Sequence, residues 1–167
     1  MSRKFPHCSA FRIALAIGLF LSPASAFTQQ RGGGALSQFA GDWSGEGAVK
    51  TTGGRERIRC KVHYDVAPGG ASLDQTLRCA SDSYKLEVRS KVVATGTKLT
   101  GKWNEITRDT IGNISGTITG TEIRAMIDGI GFTADLAMSI QANRQSITIN
   151  PTGATDISNV AITLTRI

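Results

Sequence analysis

Apolar and polar residues alternate along most of the chain between Phe39 and Ile167. A period of two is typical of β-strands that bury one face, and we find no segment with the apolar stripe of an amphipathic helix. Turns rich in Gly, Asn, Asp and Ser separate about ten such segments. We predict strands over Trp43–Lys50, Arg57–Val66, Leu73–Ala80, Tyr84–Ala94, Leu99–Ile106, Asn113–Thr119, Ile123–Asp128, Phe132–Gln141, Gln145–Asn150 and Val160–Ile167.

A meander of this kind needs a way to cover its apolar face. We predict an all-β fold, an antiparallel up-and-down barrel of about ten strands, with a β-sandwich as the alternative. A ten-stranded barrel is wider than an eight-stranded one, whose interior side chains just fill it. The inward candidates are mostly Val, Ile, Ala and Gly. The sequence therefore leaves two interiors open: a flattened, fully packed core, or a core with a cavity.

Two cysteines lie at mirror positions about the turn Ala67–Ser72. Folding the chain there places Cys60 opposite Cys79 and puts the apolar residues of both strands on one face. This register predicts a disulfide, which in a chain-entropy description contributes about 3 kcal/mol. A disulfide indicates an oxidising compartment. The spacing is that of a hairpin and differs from a C-x-x-C redox motif.

The N-terminus has the composition of a cleavable signal helix. A basic start is followed by an apolar stretch over residues 11–21, which is too short to span a bilayer. Ala24-Ser25-Ala26 resembles a cleavage site. We predict a signal peptide over residues 1–26, a flexible leader over 27–38 and a single barrel domain over 39–167. The product would be periplasmic or secreted by a bacterium, with no membrane span after cleavage.

The charge of the chain changes with cleavage. The chain has 19 Lys and Arg residues against 13 Asp and Glu, a net charge of +6. Three of the basic residues and none of the acidic ones lie in the predicted signal peptide, which leaves 16 against 13 and a net charge of +3. A balance this small does not favour a nucleic-acid partner.

A short basic stripe is predicted on the outer face. Arg57, Arg59 and Lys61 alternate onto one side of their strand, and Arg78 falls opposite Lys61 in the hairpin. The stripe could contact an anionic envelope component, or it could keep an exposed β-surface soluble. The second interpretation is favoured, because acidic residues lie nearby.

Catalytic chemistry has little support. After removal of the signal peptide His63 is the one histidine, and by alternation it lies on the outer face. A Ser/His/Asp relay would have to use it, so an enzyme is our third hypothesis. A metal site needs several converging ligands, and the cysteines are predicted to be oxidised. We therefore predict no catalytic residue, no metal site and no cofactor.

The two ends of the predicted barrel carry a family resemblance. Gly41-Asp42-Trp43 opens the first strand, and Arg166 lies near the end of the last. First and last strands are neighbours in a closed barrel, so Arg166 and Trp43 are a candidate closing pair through cation–π stacking. This arrangement resembles the lipocalin-like (calycin) superfamily, in which a G-x-W segment packs against a basic residue of the last strand.

Two further resemblances involve the same strand. Gly41–Gly47 matches the G-x-W-x-G-x-G start of nitrobindin-like haem barrels, which implies a haem-binding histidine near the C-terminus, and this chain has none there. Small periplasmic inhibitors of bacterial metalloproteases are also lipocalin-shaped barrels with one disulfide after a G-x-W strand. That resemblance implies that the leader Phe27–Ser37 inserts into a protease cleft.

Our leading hypothesis is a non-enzymatic, exported binding barrel for a small apolar ligand or an envelope component. The barrel pattern, the G-x-W start and the scarcity of bulky core residues motivate it. Trp43, Tyr64 and Trp103 are the candidate ligand contacts, in the interior or at the mouth. The alternative is a protein-binding module, such as a periplasmic protease inhibitor or an envelope-associated structural protein. The oligomeric state is left open.

Overall fold

The structure is a computed structural model that describes residues 33–167. The predicted signal peptide and residues 27–32 of the predicted leader lie outside the described residues. A short 3-10 helix over Ser37–Phe39 precedes ten strands. The strands are β1 Gly41–Thr51, β2 Gly54–Val66, β3 Ser72–Ala80, β4 Lys85–Thr95, β5 Lys98–Glu105, β6 Thr110–Thr119, β7 Glu122–Gly129, β8 Phe132–Gln141, β9 Arg144–Gly153 and β10 Ile157–Arg166.

The ten strands form one antiparallel sheet that closes on itself. Each strand pairs with the strands before and after it in the chain, and β1 also pairs with β10. The closing pairing begins at Trp43 opposite Arg166 and reaches Thr51 opposite Ile157. The predicted all-β, ten-stranded up-and-down barrel is therefore confirmed, and the β-sandwich alternative is wrong.

The hairpin of β2 and β3 has the predicted register. Cys60 lies directly opposite Cys79, and the two form a disulfide with their Cα atoms 4.1 Å apart. Both cysteines are buried on the inner face of the wall. The disulfide therefore joins two neighbouring strands inside the barrel.

β9 extends beyond the predicted strand Gln145–Asn150 and includes Pro151. At this position β9 is paired with β8, through Ala134, whereas its pairing with β10 ends at Ile149. Proline is tolerated in a strand where one neighbour is missing, because no ladder hydrogen bond is lost on that side.

The two ends of the barrel differ, and we term one the sealed end. Here residues 33–40 fold over the opening, and the N–H groups of Gly34 and Leu36 donate to the carbonyl oxygens of Gly69 and Gly70, both at 3.0 Å. Leu36 is fully buried. Residues 33–38 of the predicted leader are thus packed onto the barrel, which shortens the segment that the inhibitor resemblance would insert into a protease.

The opposite end, which we term the loop end, carries five connections between consecutive strands. They span residues 52–53, 81–84, 106–109, 130–131 and 154–156. Each connection is short, as expected for antiparallel neighbours.

Two glycines let β1 pass very close to β10 where the barrel closes. A Cβ atom on Gly45 would lie 2.0 Å from the carbonyl oxygen of Thr163, and one on Gly47 would lie 2.2 Å from that of Ala161. Both positions face the interior, since they alternate with Trp43 along β1. The glycines of the G-x-W-x-G-x-G segment therefore permit the close approach of the first and last strands.

Candidate ligand-binding interior

Trp43 and Arg166 close the sealed end together. They are paired across β1 and β10, and the guanidinium carbon of Arg166 lies 4.2 Å from the centroid of the indole ring. Arg166 also donates hydrogen bonds to the carbonyl oxygens of Ala40 and Gln38. The Trp43 indole N–H donates to the carbonyl oxygen of Phe39 at 2.8 Å, and the side chain is fully buried. Trp43 is therefore enclosed at the sealed end, beneath residues 33–40 and the Arg166 side chain.

Tyr64 lies on the inner side of this seal. Its ring meets that of Phe39 edge on, with centroids 5.9 Å apart. Its hydroxyl donates to Oε1 of Gln145 at 3.2 Å, and the Gln145 amide donates in turn to the sulfur of Met138. Burial raises the pKa of the Tyr64 phenol despite the opposing hydrogen bond from Gln145, so the phenol is neutral. Sequence reasoning missed Gln145, because a glutamine beside a turn is usually exposed.

Trp103 lies in the other half of the barrel. The pairing of β6 with β7 ends at Asn113 opposite Asp128, and the Trp103 indole N–H donates to the Asp128 carbonyl oxygen at 2.9 Å. The indole packs over Gly112, where a Cβ atom would lie 2.6 Å from its nitrogen, and its centroid is 5.9 Å from that of Phe132. Trp103 therefore covers the place where the two strands separate.

The inward-facing apolar side chains are packed differently in the two halves of the interior. Most of those near the sealed end are almost fully buried. Nine others face the interior but are only partly buried, and each lies within four residues of a strand end at the loop end: Val49, Leu77, Leu86, Val88, Ile127, Phe132, Leu136, Ile149 and Val160. Side chains on the inner face of a closed wall reach solvent through an opening. Nine of the twelve partly buried apolar residues packed against the core lie towards the loop end, and the other three, Val66, Ala94 and Met138, lie nearer the sealed end.

Glu105 is a buried carboxylate near that end. It is 5% exposed and accepts hydrogen bonds from the backbone N–H groups of Thr107, Arg108 and Glu87. Burial acts to raise its pKa, but a side-chain hydrogen bond from Thr107, together with these backbone hydrogen bonds, outweighs burial and holds the pKa below the usual glutamate range. Arg108 adds an ion pair at 3.4 Å and lies over the ring of Tyr84. The ionised carboxylate therefore organises the loop over residues 106–109.

The basic stripe lies on the outer face, and three of its residues, Arg59, Lys61 and Arg78, line a groove of about 740 Å³ that also includes both cysteines. Arg57 and Arg78 each form an ion pair with a glutamate. Within residues 33–167, Arg59 and Lys61 form no ion pair. Partial neutralisation of the stripe fits a solubilising role better than a dedicated anion site.

A second groove of about 710 Å³ crosses the outer face from β3 to β7. Its lining consists of outward-facing side chains, such as Arg89 and Lys91, and of the inward-facing residues between them, which include Gln75, Ser90 and Trp103. The groove therefore lies on the outside of the wall. In the part of the chain that the structure describes, the Oδ1 atom of Asn104 is the one buried side-chain polar atom without a hydrogen-bond partner, and Asn104 lines this groove.

His63 is exposed on the outer face, and its Nδ1 lies 2.8 Å from Oδ1 of Asp42 on the adjacent strand. Neither residue lines either outer groove. The pair therefore lies outside both of these grooves. Sequence reasoning placed His63 on this face but missed Asp42, because contact between the two depends on the register of β1 and β2.

Two further observations concern residues 33–167. No group of three or more His, Cys, Asp or Glu side chains converges there as a metal site requires. No helix in this range combines the length and apolar character needed to cross a bilayer.

Comparison with known proteins yields a similarity of fold. No protein-family model matches the chain, and no curated protein matches it. The structure is similar to one described as "Crystal Structure of Rv2717c from M. tuberculosis", with a TM-score of 0.63 and 17% sequence identity over 80% of this chain and 95% of that one. Identity this low shows a shared barrel fold and carries no function across. The lipocalin-like resemblance stays a hypothesis.

Proposed function

We propose that this protein is a non-enzymatic, exported barrel that binds a small apolar ligand, which enters at the loop end. The carrying observation is the set of nine apolar side chains that face the interior and are only partly buried, in a barrel whose opposite end is sealed. Such a half-open apolar interior is the usual form of a site for a small hydrophobic molecule.

The energy of binding would come from covering these side chains. Each 100 Å² of apolar surface removed from water contributes about 2.5 kcal/mol. A long-chain ligand that covers several of the nine side chains and buries its own surface can reach micromolar affinity after the cost of association.

The three sequence candidates take different parts in this proposal. Trp103 lies beside Phe132, one of the nine partly buried residues, and is the candidate that a ligand would contact. Tyr64 is 3% exposed and bounds the floor of the site. Trp43 is fully buried and supports the seal.

Export is part of the proposal. The disulfide between Cys60 and Cys79 persists in an oxidising compartment such as the periplasm. The predicted signal peptide would deliver the chain there, although it lies outside the described residues.

The direct test is titration of the mature protein with N-phenylnaphthylamine, a fluorophore that brightens in apolar surroundings. We expect saturable binding in the micromolar range. Leu136→Trp places a larger side chain in the accessible interior and should weaken binding at least tenfold.

Met126→Trp is the matched control, because Met126 is 51% exposed and lies on the neighbouring strand opposite outward-facing Asp135. It should leave the affinity unchanged. Absence of saturable binding, or equal loss in both variants, would overturn the proposal.

A further inference from the structure

We propose that the interior site takes a long-chain ligand with an uncharged polar head group, such as a hydroxyl, held between Gln75 and Ser90. This inference rests on the proposed function and specifies the class of ligand. Neither residue was a candidate in the sequence, because alternation assigns a side chain to a face and does not show whether it has a partner.

The two side chains belong to one inward-facing row across four strands. Tyr64 is paired with Gln75, Gln75 with Ser90, and Ser90 with Trp103. Gln75 and Ser90 thus lie between Tyr64 and Trp103, two of the three aromatic residues that were predicted as ligand contacts.

This row marks the boundary between the two halves of the interior. On its sealed side the next inward pair is Leu73 and Val92, which are 5% and 7% exposed. On its loop side the next pair is Leu77 and Val88, which are only partly buried. The polar row therefore forms the floor of the accessible half.

The polar atoms in the middle of the row have no partner. Tyr64 and Trp103 donate hydrogen bonds at its two ends, whereas among residues 33–167 the side chains of Gln75 and Ser90 form none. Ser90 is nevertheless 8% exposed. Ser90 and Gln75 also contribute to the lining of the outer groove between β3 and β7, so part of this exposure belongs to the outer side of the wall. The Ser90 hydroxyl itself points inward, and because it is not among the orphaned buried atoms, it contacts space on the inner face.

A ligand group that forms hydrogen bonds with these side chains would be stabilised by them, because the unbound protein gives the two side chains no hydrogen-bond partner. The Ser90 hydroxyl can donate and accept, and the Gln75 amide does both through separate atoms. A ligand hydroxyl, which also donates and accepts, can satisfy both residues at once.

The charges of the interior select against an ionised head group. Arg166 is the one Lys or Arg on the inward-facing positions of the described strands, and it is held over Trp43 at the sealed end. Among the inward-facing positions of the strands, the ionisable side chain closest in register to the row on its loop side is Glu105, which is paired with Val88. Its carboxylate is already bonded to Arg108 and to backbone N–H groups. A ligand carboxylate at the row would therefore lose its hydration without gaining an unpaired cation.

The test compares two probes with the same chain length, dodecanol and dodecanoate, as competitors of N-phenylnaphthylamine on the mature protein at neutral pH. We expect dodecanol to displace the fluorophore at a concentration at least tenfold lower than dodecanoate. Ser90→Ala should weaken dodecanol about fivefold, the effect of one neutral hydrogen bond. Gln75→Leu removes the other hydrogen-bonding side chain and should also weaken dodecanol binding about fivefold.

The affinity of each variant for the fluorophore is measured directly, and its dodecanol affinity is calculated from displacement with that variant's own value. Ser146→Ala, at an exposed serine of β9, is the matched control and should not alter dodecanol binding. Equal or tighter binding of dodecanoate, or unchanged dodecanol affinity in both variants, overturns the head-group site and leaves the apolar site standing. Failure of the fluorophore and both probes to bind overturns the proposed function as well.

Discussion

Replacement of Arg166 by methionine tests how the barrel is closed at its sealed end. The guanidinium lies 4.2 Å from the centroid of the Trp43 ring and donates to the carbonyl oxygens of Gln38 and Ala40. Methionine keeps an apolar stem beside the indole but removes the positive charge and both donors. The decrease in the free energy of unfolding should therefore measure what the charge and the two hydrogen bonds of Arg166 contribute to the sealed end.

The size of the effect follows from these contacts. A hydrogen bond from a charged donor contributes about 1.5–3 kcal/mol, and a cation–π contact at an exposed site about 0.5–1 kcal/mol. Arg166 is exposed, so water compensates part of the loss, and we expect Arg166→Met to lower the free energy of unfolding by about 2 kcal/mol. Arg166→Lys keeps the charge but lacks the planar fork that reaches two carbonyl groups, and should lower it by about 1 kcal/mol.

The assay is urea unfolding of the mature protein, followed by tryptophan fluorescence and far-ultraviolet circular dichroism. Arg124→Met is the control, because Arg124 is exposed on the outer face of β7 and forms no ion pair within residues 33–167; it should change stability by no more than about 0.5 kcal/mol. If Arg166→Met lowers the free energy of unfolding no more than Arg124→Met does, the polar contacts of Arg166 do not stabilise the sealed end.

Three other predictions concern the wall and the loop end. Gly45→Ala should lower the free energy of unfolding by about 2 kcal/mol in thermal melts, because the added Cβ would lie 2.0 Å from the Thr163 carbonyl oxygen. Gly53→Ala is the control and should be near neutral, because its Cβ would meet only Thr51 at 3.6 Å. Equal effects of the two substitutions would contradict the close approach of β1 and β10. Glu105→Gln should cost about 1.5 kcal/mol at neutral pH. Because folding lowers the pKa of Glu105, this wild-type advantage is complete above the unfolded-state pKa and disappears as the pH falls through the lowered folded-state pKa; an advantage that persists in strongly acidic urea titrations would exclude the role of the carboxylate. Joint replacement of Cys60 and Cys79 by serine should lower the free energy of unfolding by about 3 kcal/mol. The wild-type mature protein, denatured without reduction, should not react with a thiol reagent. Stoichiometric labelling would contradict the disulfide.

Much of the wall could be predicted from the alternation of apolar and polar residues. A slip of one residue in a strand exchanges its two faces, so a clear apolar face sets the register wherever one side is buried. In the β2–β3 hairpin this argument aligned Cys60 with Cys79 as the structure has them. The order of the strands followed because short turns join antiparallel neighbours.

The pairing of Trp43 with Arg166 at the sealed end could be proposed from the sequence, but the cover formed by residues 33–40 could not, because the composition of that segment suggests flexibility. Residues 33–38 include glycines and little apolar surface, yet Leu36 is fully buried. Its position depends on the carbonyl oxygens of Gly69 and Gly70 at the β2–β3 turn, which accept hydrogen bonds from the segment. Such a contact joins residues distant in sequence and leaves no local pattern.

The polar floor of the interior was missed for a related reason. Gln75 and Ser90 occupy inward positions, but alternation alone reads such residues as ordinary interruptions of an apolar face. Their significance comes from the lack of hydrogen-bond partners and from the accessible space above them, and both depend on the full packing of the barrel.

The most direct measurement of the central claim is a crystal structure of the mature protein soaked with a dodecanol that carries bromine at the end opposite its hydroxyl. The anomalous scattering of bromine locates the ligand without reference to a model of it. We predict a bromine peak inside the barrel at the loop end, beside the inward-facing side chains closest to that end, such as Leu86 and Phe132. A peak confined to the two outer grooves, or an interior closed to the ligand, would contradict the account.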